Sequence, residues 1–179
     1  NSAHRHIEVS LLGDGGASIG VHAAFDGALH EWYRYAGEYY SPEELQKEMQ
    51  KKSPLAQSYF AKLNIHAAKE KPEVTLDYVV DVPQFGSKAG KRFFIPLNPV
   101  SAFSDVPAAN DKRIHPVWVT DGYMEQDTIV LHFPENYAVE SIPATSTTLS
   151  SEFGSYSAQI VQQDQTLTVV RNLEIKPAR

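Results

Sequence analysis

Between Asp127 and Tyr156 the chain reads DTIVLHFPENYAVESIPATSTTLSSEFGSY, and this stretch constrains the fold more than any other. Ile129, Leu131 and Phe133 alternate with Thr128, Val130 and His132, the period-two signature of a strand buried on one face. Pro134 stops that strand, because proline cannot donate to a ladder. Tyr137 to Ile142 reads as a second strand, stopped in the same way by Pro143. The run Ala144 to Ser151 that follows reads as a polar loop. A chain patterned like this builds antiparallel sheet, and the pattern itself carries no catalytic group.

The same alternation recurs along the chain. Ile7, Val9 and Leu11, the glycine-rich turn Gly13-Asp14-Gly15-Gly16, and Ile19, Val21, Ala23 and Phe25 predict an opening β-hairpin. Leu76, Tyr78, Val80 and Val82, then Phe93, Ile95 and Leu97, predict a long-looped hairpin over 74–97. Residues 98–116 read as a surface crossing, and Val117 to Thr120 as a short strand. Residues 156–162 and 166–175 predict a final hairpin across Gln163-Asp164-Gln165.

Between the first hairpin and the second, the period becomes helical. Leu29, Trp32, Ala36 and Tyr39 recur at helix spacing, with Asp26 as a candidate N-cap. Ser41-Pro42-Glu43-Glu44 is a capping box with proline at the first helical position, opening a helix to about Lys52 with Leu45 and Met49 inward. Ser53-Pro54 predicts a third, short helix carrying Leu55, Tyr59 and Leu63. The expected fold is therefore mainly β (α+β): an antiparallel β-sandwich with a block of two to three helices, about residues 28–62, inserted after the first hairpin. The 179 residues suit one such domain, 1–179, and its abrupt ends read as those of a fragment of a larger multidomain protein.

Charge and composition narrow the function classes. A net charge of −6 with no Lys/Arg stripe argues against nucleic acid as the partner. With no cysteine, disulfides, thiolate metal sites and a cysteine nucleophile are excluded within this chain. No apolar run is long enough to span a membrane.

Three constellations remain. His4 and His6 form an H-x-H pair that would share one strand face and could hold zinc with a third ligand; a solvated strand start near the terminus is the favoured reading, since no third ligand is placed, and no metal site or cofactor is assigned. Glu125, Asp127, Glu135, Glu140 and Glu152 are carboxylates with no local pairing, and they read as surface groups. The densest aromatic run, EWYRYAGEYY, places Trp32, Tyr35 and Tyr39 near one helical face, with Tyr33 and Tyr40 pointing elsewhere. It serves either as core or as an interface to a neighbouring domain. No catalytic residue is assigned.

Several motifs together resemble a known family. They are G-D-G-x-A at Gly13 to Ala17, G-x-x-x-x-W-x-R at Gly27 to Arg34 and R-x-x-P-V at Arg113 to Val117. The remaining two are D-T-I-x-L-x-x-P-E-x-Y-x-V-E-S-x-P at Asp127 to Pro143 and F-G-S-Y at Phe153 to Tyr156. The set resembles the β-rich domain of unknown function that follows a transglutaminase-like (papain-fold) domain in large exported bacterial proteins. The resemblance implies a non-catalytic accessory domain whose partner is the transglutaminase-like domain preceding it in the same chain. It also implies a periplasmic or cell-surface location. The family's Cys-His-Asp triad belongs to that preceding domain and matches nothing here. The alternative function is a carbohydrate- or peptide-binding β-sandwich with a peptide or glycan ligand.

Overall fold

The structure, a computed structural model, describes residues 1–55, 57–101, 114, 119 and 121–177. In chain order the strands are β1 (Ser2–Leu11), β2 (Ala17–Asp26), β3 (Tyr59–Ala67), β4 (Glu73–Val82), β5 (Ser87–Ala89), β6 (Arg92–Phe94), β7 (Tyr123–His132), β8 (Ser146–Ser151), β9 (Gly154–Gln163) and β10 (Thr166–Ile175). Two helices, α1 (Ala28–Tyr39) and α2 (Pro42–Lys52), separate β2 from β3.

Eight strands form one sheet in the order β3-β4-β2-β1-β7-β10-β9-β8, and β5 and β6 make a separate two-stranded ribbon. Every pairing in the large sheet is antiparallel except that of β1 with β7. The sheet is thus two antiparallel quartets of strands joined along a parallel seam. The strands expected to divide between two packed sheets are hydrogen-bonded edge to edge in this one.

Alternation decides the faces. Ile7, Val9, Ile19, Leu76, Ile129 and Leu131 point to one side and are fully buried. The roof over that side differs along the sheet. Over β2, β3 and β4 it is α1 and α2, which bring Ala36, Leu45 and Met49 into the core. Elsewhere, irregular chain contributes Ile95, Leu97, Val100, Phe133 and Ile142. The opposite face of the sheet carries most of the polar side chains of the strands, with a few apolar ones such as Val161 and Val170.

The first hairpin forms as the sequence predicts, with Ile7 opposite Val21 and a turn in which Gly15 takes φ 96°. The final hairpin pairs Val169 with Ile160, with Asp164 in the left-handed region at φ 50°. The capping box at Ser41 is present in full, with Ser41 Oγ accepting from the Glu44 amide and Glu44 Oε2 accepting from the Ser41 amide.

Several expectations are corrected. Among the described residues no third helix forms, and the chain from Tyr59 pairs with β4 instead. A bulge between Phe60 and Lys62 puts Phe60 and Leu63 on the same face, and that three-residue spacing imitates a helix. Asp26 does not cap α1. Its carboxylate accepts from the Ser2 amide and hydroxyl, while Asn1 Oδ1 accepts from the Ala28 amide at 2.6 Å.

Three strand expectations also change. Phe93, Ile95 and Leu97 do not return along β4; only Arg92–Phe94 is a strand, in the small ribbon. Tyr137 to Ile142 is not a strand, because Arg92 grips Glu140 through two bonds of 2.7 Å and Tyr137 donates to the Gly13 carbonyl. Conversely Ser146–Ser151, read as a loop, is the edge strand β8, held by β9. The predicted strand at Val117 to Thr120 lies, apart from Val119, outside the described residues.

Candidate functional site

The seam between β1 and β7 gathers the interior charges. Register places Arg5 beside Asp127, and Asp127 beside Arg171 on β10. Arg5 Nη1 donates to Asp127 Oδ1 at 2.9 Å, and Arg171 Nε donates to Asp127 Oδ2 at 2.8 Å. Both guanidinium groups also donate to Glu125, which accepts in addition from the Ser101 hydroxyl at 2.9 Å. Burial alone would raise the Glu125 carboxyl, but the neighbouring Arg5 and Arg171 hold it below the usual carboxylate range. Burial likewise works against the Arg5 charge, and Asp127 and Glu125 reverse that, so its pKa lies above the ordinary value.

Two acids and two bases thus saturate one another, leaving no general base free there. The sequence reading of Glu125 and Asp127 as surface groups is overturned: Asp127 is buried and Glu125 is half-buried. Glu135, Glu140 and Glu152 are exposed, as expected. Arg5 and Arg171 were not singled out by sequence, since only the pairing register shows that they meet.

The aromatic run of α1 divides in two. Tyr33 stacks on Phe25 with centroids 4.4 Å apart, and burial pushes its hydroxyl pKa up. Trp32 packs edge-on against Tyr33 at 5.0 Å, with Lys52 Nζ 4.2 Å from its ring centroid. Tyr40 is half-buried. Tyr35 and Tyr39 remain 53% and 65% exposed, their rings tilted against each other with centroids 4.9 Å apart and with Tyr40 edge-on to Tyr35. The inward side is therefore His30, Trp32, Tyr33 and Ala36; of the Leu29, Trp32, Ala36 and Tyr39 stripe that spacing predicts, Leu29 and Tyr39 turn outward. Close approach explains this: a Cβ on Gly37 would stand 2.9 Å from Ile65 Cγ2, so the helix turns its glycine to β3.

The open face of the sheet carries His4, His6, His22, His66 and His132, five of the chain's seven histidines. Glu8 sits between two of them, with His6 Nε2 2.9 Å from Oε1 and His132 Nε2 2.7 Å from Oε2. Partial burial would raise the Glu8 carboxyl, and the two imidazoles outweigh it and lower it. His22 Nδ1 lies 2.6 Å from Asp77 Oδ1. His4 and His6 do share a face, as the H-x-H spacing predicts. Shallow depressions of about 440 and 300 Å³ flank His6 and His22.

Residues 91–179 match the model of a family described as a domain of unknown function with a solved structure (DUF3858). No curated protein and no solved structure matches the chain. The family match starts just before β6 and takes in all of β7 to β10, one complete half of the sheet. It contains the motifs at Arg113 to Val117, Asp127 to Pro143 and Phe153 to Tyr156, but neither Gly13 to Ala17 nor Gly27 to Arg34. No helix among the described residues is long and apolar enough to cross a membrane.

Proposed function

We propose that this chain is a non-catalytic accessory domain that packs on, or positions substrate for, a transglutaminase-like domain preceding it in an exported bacterial protein. The observation that carries the reading is the Tyr35–Tyr39 pair, exposed and already in mutual ring contact on the outer side of α1. Tyrosines ordered before binding lose little side-chain freedom on docking, and aromatic anchors of this kind dominate protein interfaces. The seam supports the same reading, because its charged groups are engaged in joining the two halves of the sheet. Tyr40 stands edge-on to Tyr35, while Trp32 and Tyr33 pack against the core. The location that goes with this role is the periplasm or the cell surface.

The glycan alternative has less support. Of the outward groups on the open face, Val161 and Val170 offer no ring on which a sugar could stack, and the exposed Tyr59 stands far from them on β3, at the opposite edge of the sheet.

The test is to express the segment encoded immediately before Asn1 separately and titrate it with this chain by calorimetry. Tyr35→Ser with Tyr39→Ser is expected to weaken binding by at least about tenfold, the range of an interface anchor. Unchanged affinity, or a preceding segment without a papain-like cysteine motif, would sink the proposal.

A further inference from the structure

The large sheet ends in β3 on one side and β8 on the other, and the two edges differ. An edge strand presents unpaired amides and carbonyls to any strand that approaches. At β3 the helical lid guards them: Gln46 Nε2 donates from α2 to the Phe60 carbonyl at 3.0 Å, and Gln50 Nε2 donates to the Ser58 carbonyl at 2.9 Å. The bulge between Phe60 and Lys62 breaks the same edge. Among the described residues β8 has no such guard. It is a run of six residues, STTLSS, with no proline, bulge or charge. Its neighbour β9 carries no charged residue either, in a chain of net charge −6. The bond from the Ile160 amide to the Thr145 carbonyl fixes the phase of the ladder. Thr147, Leu149 and Ser151 therefore direct their backbone groups to β9, and Thr148 and Ser150 direct theirs outward from the sheet edge.

We propose that β8 pairs antiparallel with β8 of a second copy of this chain, across a two-fold axis at Leu149, so that the sheet continues from one protomer into the other. Pairing about a two-fold sets residues near the axis against their own copies, where a charge would meet its like. The edge carries none, and in this register Glu152 of one copy falls opposite Ser146 of the other. Leu149 points to the roofed side of the sheet yet is 64% exposed, and on the axis it packs against its own copy. Thr148 and Ser150 then exchange amide and carbonyl bonds with Ser150 and Thr148 across the axis. The alternative head-to-tail contact, β8 of one copy on β3 of the next, would grow a filament, and the glutamines on β3 oppose it, so association closes at two copies. β8 lies at the other side of the sheet from the strands that α1 covers, so this interface stands or falls separately from the docking role of Tyr35 and Tyr39.

Analytical ultracentrifugation of this chain over a concentration series tests the pairing. A six-residue edge buries less than the ~1,600 Å² of a standard interface, so the dimer is expected to be weak, with a Kd on the order of 10–100 μM. Thr148→Pro removes an outward amide that β9 does not use, and Leu149→Lys sets like charges face to face on the axis. Each should weaken dimerisation by at least about tenfold. Leu149 is exposed in the single chain, so Leu149→Lys should keep the fold, which thermal melts check. Tyr35→Ser with Tyr39→Ser should dimerise as the wild type does. In hydrogen exchange the Thr148 and Ser150 amides should gain protection as concentration rises. A wild-type chain that stays monomeric well above the expected Kd overturns the proposal. So does a dimer that survives both β8 substitutions, or one that is lost with the two tyrosines. Protection of Thr148 and Ser150 that appears only when the segment encoded before Asn1 is added overturns it as well, and gives the edge to a strand of that segment.

Discussion

The two halves of the sheet have the same plan and different roofs. In β3-β4-β2-β1 the inward side chains are capped mainly by α1 and α2, which deliver Ala36, Leu45 and Met49. In β7-β10-β9-β8 no helix covers the strands among the described residues. Phe133 and Ile142, carried on irregular chain immediately before Pro134 and Pro143, help to fill the same role. The outer end of that half stays less covered, with Leu149 64% and Phe153 55% exposed. An antiparallel sheet needs an apolar lid on one face, and the lid need not be a second sheet. The half with the looser lid is the one that matches the family model.

The largest effect should come from cutting the seam that joins the halves. Arg171→Met leaves Asp127 and Glu125 buried with one guanidinium between them, and Asp127→Asn leaves two guanidinium groups facing a neutral amide. Breaking a buried pair from one side typically costs about 3–5 kcal/mol. Urea denaturation checks this, and a loss under about 1 kcal/mol would mean that apolar neighbours such as Ile129 alone hold β1 against β7. The same cluster sets the response to acid. The folded Glu125 carboxyl lies below its unfolded value, so its contribution is complete above the ordinary carboxylate pKa of about 4.3. That contribution is lost as pH falls through the lowered folded value. Glu125→Gln should therefore be less stable near neutrality yet show a flatter decline on the acid side.

A second comparison sharpens the contrast between the lids. Met49 is buried under the helical roof, and Ile142 is half-buried in the irregular one. Met49→Ala should cost about 2–5 kcal/mol, the range for emptying a packed site. Ile142→Ala should cost about 1 kcal/mol, because irregular chain can collapse into the gap and the site begins partly wet. Equal losses would show that the proline-bounded segment is packed as tightly as the helices, and the distinction between the lids would fail.

These features differ in how visible they were in the sequence. Strands with aliphatic alternation, such as Ile7-Val9-Leu11 and Leu76 to Val82, could be read directly, because one buried face imposes its period on the residues. Ser146–Ser151 could not, since an exposed edge strand of serine and threonine has no apolar face to mark it. The parallel pairing of β1 with β7 joins residues more than a hundred positions apart, and no local pattern encodes it. The Arg5, Asp127 and Arg171 cluster was hidden for the same reason: each residue alone has the signature of a surface charge. The Tyr35–Tyr39 patch was legible as aromatic density, but which tyrosines stayed outside depended on the turn of α1 that Gly37 permits.

The smallest effect belongs to the start of α2, where local chemistry acts almost alone. Ser41 Oγ accepts from the Glu44 amide at 3.3 Å and the Glu44 carboxylate answers at 2.9 Å, so two helix-end donors are satisfied by one box. The Glu44 carboxyl is held below its usual range chiefly by its hydrogen bond from the Ser41 amide. Ser41→Ala removes the acceptor and should lower stability by about 1 kcal/mol, while Ser41→Gly should cost a few tenths. Because α2 is part of the helical lid and lies against β3, the loss should be transmitted to hydrogen-exchange protection in β3 and leave β9 and β10 unaltered. Equal loss of protection in all three strands would mean that the halves open together, and that the seam couples them more tightly than their separate roofs imply.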